Sequence, residues 1–324
     1  MPSKMSSQHP LNDLNFTDIY LRLDTDAVAH YRAGFGGAIA LPDADLPEAY
    51  FDDANALTCY LRENFSNDEA AIDYNGMRMR ATRLETSRGE TWAALRRLPH
   101  RPPPLERLGF IPQLTPLLEG LGRRSGLILV CGASGQGKTT TISSLLSRYL
   151  ETYGGIGFTL EDPVEYDSEG RCGENGYCYQ TEIRQEEDWS LMLKRALRWH
   201  PRYITVGEIR TPDAASQVLR AATSGHTVLA TMHAGSMEEA LEGLLQLAEQ
   251  DDTGARAPLL LAAGLTCVLY QAFLPSGLYA QFMVTEADNP GSPVRALIRD
   301  RRIGQTRTLA DQQMARLLQN GRIT

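Results

Sequence analysis

The stretch Leu127-Ile128-Leu129-Val130-Cys131-Gly132-Ala133-Ser134-Gly135-Gln136-Gly137-Lys138-Thr139 decides the fold. Its first five residues are a short apolar run of strand character. GxxxxGK[ST] follows at once and leads into helical spacing from Thr139 to Glu151. Strand, glycine loop and helix in that order make a phosphate cradle. The glycines let backbone N–H groups turn inward, and the helix N-terminus adds its dipole. Gly132, Ser134, Gly135, Gln136, Gly137, Lys138, Thr139 and Thr140 are therefore the expected nucleotide-binding residues. Lys138 is placed to reach the β- and γ-phosphates and the Thr139 hydroxyl to ligate Mg²⁺.

Working outward, Ile156–Leu160, Tyr203–Val206 and Thr227–Thr231 are further strand-like runs. They alternate with helical patterns at Trp189–Trp199, Pro212–Ala222 and Met237–Glu249, which predicts an α/β fold with a parallel sheet covered on both faces. Ligand groups collect at the carboxyl ends of such strands. Two acids stand there: Glu161, with Asp162 beside it, closes the second strand, and Glu208 follows the third. A carboxylate on that rim can take a proton from an attacking water or hold a water on Mg²⁺. His226 and His233 flank the fourth strand and can hydrogen-bond the γ-phosphate or relay its loss.

Arginine supply is the remaining chemistry. Lys194, Arg195 and Arg198 fall on one helix at spacings that share a face. Arg78, Arg80, Arg83 and Arg97 form a second group, with Arg78 and Arg80 on the same side of a strand. An arginine placed across a subunit or domain boundary can stabilise charge on a transferring phosphoryl group. The spacing does not select which arginine does so.

The chain has 324 residues, with 32 Lys+Arg against 40 Asp+Glu and a net charge of −8. That length fits about two domains, and the composition is that of a globular protein rather than a disordered or fibrous one. An acidic balance speaks against a dedicated nucleic-acid binder, which needs a dense Lys/Arg surface. Pro99-His100-Arg101-Pro102-Pro103-Pro104 reads as a linker, because consecutive prolines stop both helix and central strand. Before it, alternation in Phe16–Leu23 and in Met77–Leu84 after the Asn75-Gly76 turn, with helical spacing in Phe51–Phe65, predicts a small α+β domain over 1–98. The linker is taken as 99–109, the nucleotide core as 110–257, and 258–324 as a mostly helical C-terminal region. Within that last region Leu259–Leu274 falls short of the roughly 20 residues that span a bilayer and reads as a buried helix. Met1 to Leu11 lacks the pattern of a secretory signal, so the five cysteines are expected as reduced thiols in the cytoplasm. Cys172 and Cys178 have no second pair or histidines to make a zinc site.

Taken together, these motifs resemble the secretion and type IV pilus motor ATPases of the GspE/PilT superfamily, most closely the PilT-like retraction branch. The phosphate loop GASGQGKTT, the run Thr159–Tyr166 (TLEDPVEY, similar to the family's Asp box), Val206–Arg210 (VGEIR, its atypical Walker B) and Thr223–His233 (TSGHTVLATMH, its His box) carry the likeness. Arg195–Pro201 resembles the arginine-bearing helix, and Pro293–Asp300 (PVRALIRD) the retraction signature AIRNLIRE. The resemblance implies a PAS-like N-terminal domain joined to a RecA-like ATPase domain. It also implies a homohexamer that binds ATP and Mg²⁺ between protomers and works in the cytoplasm, peripheral to the inner membrane, against a membrane-embedded platform protein. By the same resemblance Glu161 is the water-activating base, and Glu208 positions Mg²⁺ or the γ-phosphate. His226, His233, Arg195 and Arg198 complete the catalytic set. Departures are Thr211 in place of an acid, Lys194 in place of the first arginine, Gln180-Thr181-Glu182-Ile183 after the Asp box, and the Cys172–Cys178 insert. DotB-like ATPases of type IVB secretion or conjugation share the architecture and remain the alternative, with a RecA-like nucleic-acid translocase further off.

Overall fold

A computed structural model describes residues 9–25, 29–33, 44–65, 68–183, 188–251, 256–286, 289 and 291–323. The chain divides into two compact units, Met1–His100 and Arg101–Thr324.

The first unit is an antiparallel sheet with a helix on one face. Its strands are β1 (Phe16–Arg22), β2 (Ala29–Ala33), β3 (Ala44–Asp45), β4 (Glu69–Tyr74), β5 (Met77–Glu85) and β6 (Thr91–Arg97), in the order β3-β2-β1-β6-β5-β4. Helix α1 (Phe51–Asn64) buries Ala54, Leu57, Thr58 and Leu61, the spacing of one helical face. Ala54, Leu57 and Leu61 pack with Ile19, Leu21, Met79, Ala81 and Leu95 from alternate strand positions. Alternation turns Arg78 and Arg80 to the other face, where they pair with Asp73 at 3.4 Å and Glu69 at 3.5 Å. Arg83 donates to the Phe65 carbonyl at 3.4 Å and Arg97 to Asn12 Oδ1 at 3.2 Å, so each arginine of this group has a partner within its own unit.

The second unit follows the phosphate stretch. Strand β7 (Gly126–Gly132) is buried at every position. Leu127, Leu129 and Cys131 join a core on one face of the sheet, while Ile128 and Val130 join the core on the other. That is what a strand covered on both sides requires, and it explains the absence of polar alternation. Around β7 lie β8 (Gly155–Glu161), β9 (Gly170–Cys172), β10 (Gly176–Glu182), β11 (Tyr203–Val206), β12 (Thr227–His233), β13 (Leu265–Leu274) and β14 (Gly277–Val284). Their order is β14-β13-β7-β12-β11-β8-β10-β9, parallel from β13 to β10 with an antiparallel strand at each edge.

Helices α2 (Leu114–Gly120) and α3 (Lys138–Tyr153) contribute to one core. Helices α4 (Asp188–Leu197), α5 (Pro212–Ala222), α6 (Met237–Glu249) and α7 (Ala257–Gly264) contribute to the other, and α8 (Pro293–Arg299) and α9 (Thr306–Asn320) close the chain. Thr211, the departure from an acid, caps α5: its hydroxyl accepts from Ala214 N at 3.3 Å, with Pro212 in the first turn. Threonine satisfies an orphan helix donor much as aspartate would.

Two expectations need correcting. The region beyond residue 258 is not helical throughout, since it also holds the β13–β14 pair, and Leu259–Leu274 is not one buried helix. The helix stops at Gly264, and Leu265–Leu274 runs as β13 beside β7. Leu265 and Val268 join one core, Cys267 and Leu269 the other. A strand buried on both faces reads as a continuous apolar run, which periodicity cannot tell from a buried helix. Pairing with β7 also covers an edge that would otherwise expose its N–H and C=O groups. Secondly, the linker is shorter than 99–109, because Ser144 Oγ on α3 donates to the Pro103 carbonyl at 2.6 Å and Leu105 is buried in the second unit.

The five cysteines are free thiols, with Cys172 and Cys178 buried in the β9–β10 hairpin. Among the described residues no helix is long and apolar enough to cross a membrane.

Candidate nucleotide-hydrolysis site

The parallel strands end on one rim, and a cavity of about 450 Å³ opens there. The phosphate loop forms one wall with Ser134, Gly135, Gly137, Lys138, Thr139 and Thr140. Gly135 and Gly137 adopt φ of +74° and +76°, a left-handed conformation that glycine enters without steric cost and that turns successive N–H groups inward. The opposite wall is Glu161, Asp162, Pro163 and Glu165 after β8, Gly207, Glu208 and Arg210 after β11, and Thr231 and His233 at the end of β12. One cavity thus collects four of the acids and bases flagged by the motifs: Lys138, Glu161, Glu208 and His233.

Hydrogen bonds link its walls. Lys138 Nζ donates to the Ala133 carbonyl at 2.9 Å and lies 3.3 Å from His233 Nδ1. An ammonium only donates, so His233 Nδ1 accepts and its Nε2–H faces Glu208 Oε1 at 3.0 Å. Arg210 engages the other Glu208 oxygen at 2.7 Å and Asp162 at 3.9 Å. The chain Lys138–His233–Glu208–Arg210–Asp162 therefore runs from the phosphate loop across three strand ends. Burial pulls the Lys138 amine below its ordinary pKa, opposed by the Glu208 charge.

Glu161 stands in a different environment. It is 5% exposed, and among the described residues no cation pairs with it. Gln180 Nε2 donates to its Oε1 at 3.0 Å. Burial raises its carboxyl above the ordinary glutamate range, opposed by the Thr159 hydroxyl and by hydrogen bonds from Gln180 and the Glu165 backbone. Glu208 has both oxygens committed to charged or ionisable partners, whereas Glu161 is met by neutral donors only, and this separates two acids that looked equivalent in the sequence.

Five expected residues fall outside the cavity walls. His226 precedes β12 at its amino end, roughly 20 Å from His233 at about 3.3 Å per residue. Its Nδ1 faces the Pro201 carbonyl at 2.7 Å. It does not line the cavity, because the two histidines of the motif stand at opposite ends of one strand. Arg195 is exposed on α4, and its NH1 lies 3.7 Å from Met192 Sδ. Arg198 is exposed in the turn after α4, so it does not share a helix face with Lys194 and Arg195. Gln136 turns from the cavity toward β13: its side-chain oxygen accepts from Phe273 N, and its carbonyl accepts from Gln271 Nε2 at 2.6 Å. Gly132, also off the walls, ends β7 where a Cβ would collide with the Gln271 carbonyl.

Sequence reasoning missed Gln271, which braces the phosphate loop and also accepts from Thr141 Oγ1 at 2.9 Å. It missed Gln180, and it missed Tyr166, whose hydroxyl lies 3.0 Å from Thr140 Oγ1. No spacing rule flags them, because each arrives by pairing of strands or loops far apart in sequence.

Fold and site define a class: an α/β P-loop protein whose strand-end acids face a glycine loop, as in the GspE/PilT ATPase superfamily. The chain belongs to the type II/IV secretion system protein family, whose model matches residues 67–289. It is 35% identical to the type II secretion system protein HxcR of Pseudomonas aeruginosa over 52% of this chain and 33% of that one, so it spans about a third of that relative's length. A crystal structure of the pilus retraction motor PilT with bound ADP superposes with TM-score 0.70 at 26% identity, over 97% of this chain and 92% of that one. The Legionella pneumophila ATPase DotB shares the fold at TM-score 0.68 and 22% identity, over 93% and 85% of the two chains.

Proposed function

We propose that this protein is an ATP-hydrolysing motor that powers type IV pilus retraction. The observation that carries the reading is the meeting of Lys138, Glu161, Glu208 and His233 in one cavity at the mouth of the phosphate loop. The likeness to a retraction motor holding ADP supports the choice of nucleotide. The second unit acts as a RecA-like ATPase domain and the first as a PAS-like domain.

ATP seats its β- and γ-phosphates on the inward N–H groups of the loop and on Lys138. Glu161 takes the proton as water attacks the γ-phosphorus, and ADP leaves with the bond to its bridging oxygen broken. His233 stands where it can sense the departed phosphate, linked to Glu208 on one side and Lys138 on the other. Arg195 and Arg198, exposed in one protomer, serve a neighbour's nucleotide in a homohexamer.

The residues present suit Mg²⁺. The Thr139 hydroxyl and the Glu208 carboxylate both line the cavity, and among the described residues no cluster of three or more His, Cys, Asp or Glu forms a protein-only metal cage. A P-loop Mg²⁺ takes most of its oxygens from phosphates and water, so such a cage is not required. When bound, the ion neutralises charge on the phosphates.

The ring sits in the cytoplasm and engages an inner-membrane platform protein. Its test is hydrolysis against assembly. Specific activity should rise with protein concentration as mass photometry records ring formation. A monomer at saturating ATP and Mg²⁺ that hydrolyses equally fast on dilution would end the motor reading.

The raised pKa of Glu161 gives a second test. A base works only when ionised, and a raised pKa moves ionisation to higher pH. Turnover should therefore fall on acidification through a value above about 4.3, the ordinary glutamate pKa. A pH–rate profile whose acid limb lies at or below that value contradicts the assignment.

A further inference from the structure

Strands β8 and β10 pair in parallel, with Gln180 opposite Thr159 and Glu182 opposite Glu161. Paired residues, and residues two apart along a strand, share a face of the sheet. Gln180 is therefore the diagonal neighbour of Glu161 on that face. Its amide is committed on both sides. Nε2 donates to Glu161 Oε1 at 3.0 Å and to the Tyr166 carbonyl at 3.0 Å, while Oε1 accepts from Ser168 N at 2.8 Å. Turning the amide over would set N–H against N–H at Ser168 and oxygen against oxygen at Glu161, so only one orientation satisfies the network.

The network reaches the phosphate end of the site. Tyr166, held at its carbonyl by Gln180, places its hydroxyl 3.0 Å from Thr140 Oγ1 in the first turn of α3. The path Glu161–Gln180–Tyr166–Thr140 thus ties the acid on β8 to the helix that carries the phosphate loop, without any charged group along it.

We propose that Gln180 is a positioning residue for hydrolysis: it holds the Glu161 carboxylate in the orientation that meets the attacking water and keeps it in register with the bound phosphates. The inference rests on the reading of Glu161 as the base. Gln180 touches neither water nor nucleotide in this role. Its effect belongs on turnover and not on nucleotide affinity, since a small misplacement of a reacting group costs rate steeply.

The test pairs Gln180→Met, which keeps the volume and removes the amide, with Glu161→Gln and the double variant in the full chain. Gln180→Met should lower kcat by about 10- to 100-fold and leave KM and the affinity for a fluorescent ATP analogue within about twofold. In the Glu161→Gln background the same change should cost less than about twofold in single-turnover hydrolysis, because the group it positions is already gone. An equal loss in both backgrounds would mean a merely structural role and would overturn the proposal. So would unchanged kcat in Gln180→Met.

Gln180→Glu, nearly the same size, gives a second readout should the methionine variant not fold. A carboxylate beside Glu161 should move the acid limb of turnover to higher pH by about one unit. Glu165 on the following loop, Glu182 opposite Glu161 on β10, and Asp162, Lys138, Glu208, Arg210 and His233 on the walls of the same cavity are present in both proteins, so they do not produce the difference. An unmoved limb overturns the proposal. If Glu161→Gln itself turns over normally, the base reading fails and this inference fails with it. If Glu161→Gln is inactive and Gln180→Met is normal, only this inference fails.

Discussion

Lys138→Ala is expected to lower ATP turnover by about 10³-fold, read as phosphate release from the full-length protein. Lys138 is 7% exposed and is held by the Ala133 carbonyl at 2.9 Å and by His233 at 3.3 Å. Its amine is thus set at the mouth of the loop before nucleotide arrives, and a preorganised charge costs no reorganisation as the phosphoryl group leaves. Truncation removes that charge and also frees His233 from one side, loosening the link to Glu208. Affinity for nucleotide should fall with turnover, since lysine meets the phosphates in ground and transition states alike.

Stability separates this loss from misfolding. Burial lowers the Lys138 pKa, so the unfolded chain binds that proton more tightly. The charged amine therefore weakens the fold fully below its lowered folded pKa, and the penalty fades as pH rises from that value to the unfolded one. Removing the amine should leave the nucleotide-free Tm unchanged or raise it at neutral pH. A large fall in Tm would assign the lost activity to folding.

Glu161→Gln is expected to retain ATP binding while hydrolysis falls by about 10²- to 10⁴-fold. Glutamine fills the same space, and its oxygen still accepts from Gln180, so the 3.0 Å contact and the wall of the cavity survive. What is lost is a place for the proton of the attacking water. Single-turnover hydrolysis beside equilibrium binding of a fluorescent analogue measures both halves. Normal turnover would pass the base role elsewhere. Glu208 is a poor successor, because Arg210 and His233 engage its two oxygens at 2.7 and 3.0 Å.

The order of elements around the phosphate loop was legible because local rules govern it. Glycine at the turn, β-branched residues in the short strands and a periodic apolar face on each helix all act over a few residues. The readings of Tyr203–Val206, Pro212–Ala222 and Met237–Glu249 coincide with β11, α5 and α6. Local rules failed at Leu265–Leu274, where an apolar run joined the sheet next to β7. His226 and His233, read as flanking one strand, do stand at its opposite ends, and only His233 lines the cavity.

By itself the sequence determined that a strand, a glycine loop and a helix would cradle phosphate, and that acids would stand at the ends of neighbouring strands. These follow from backbone sterics and side-chain period. Only the tertiary structure decided which acid is charge-paired and which is buried beside a neutral amide. It alone brought Gln180 to Glu161, Gln271 to the phosphate loop and His233 to Lys138. Those contacts join residues 19 to 135 positions apart, and strand order sets them. That order is a global solution to burying both faces of one sheet, which no short window of residues contains.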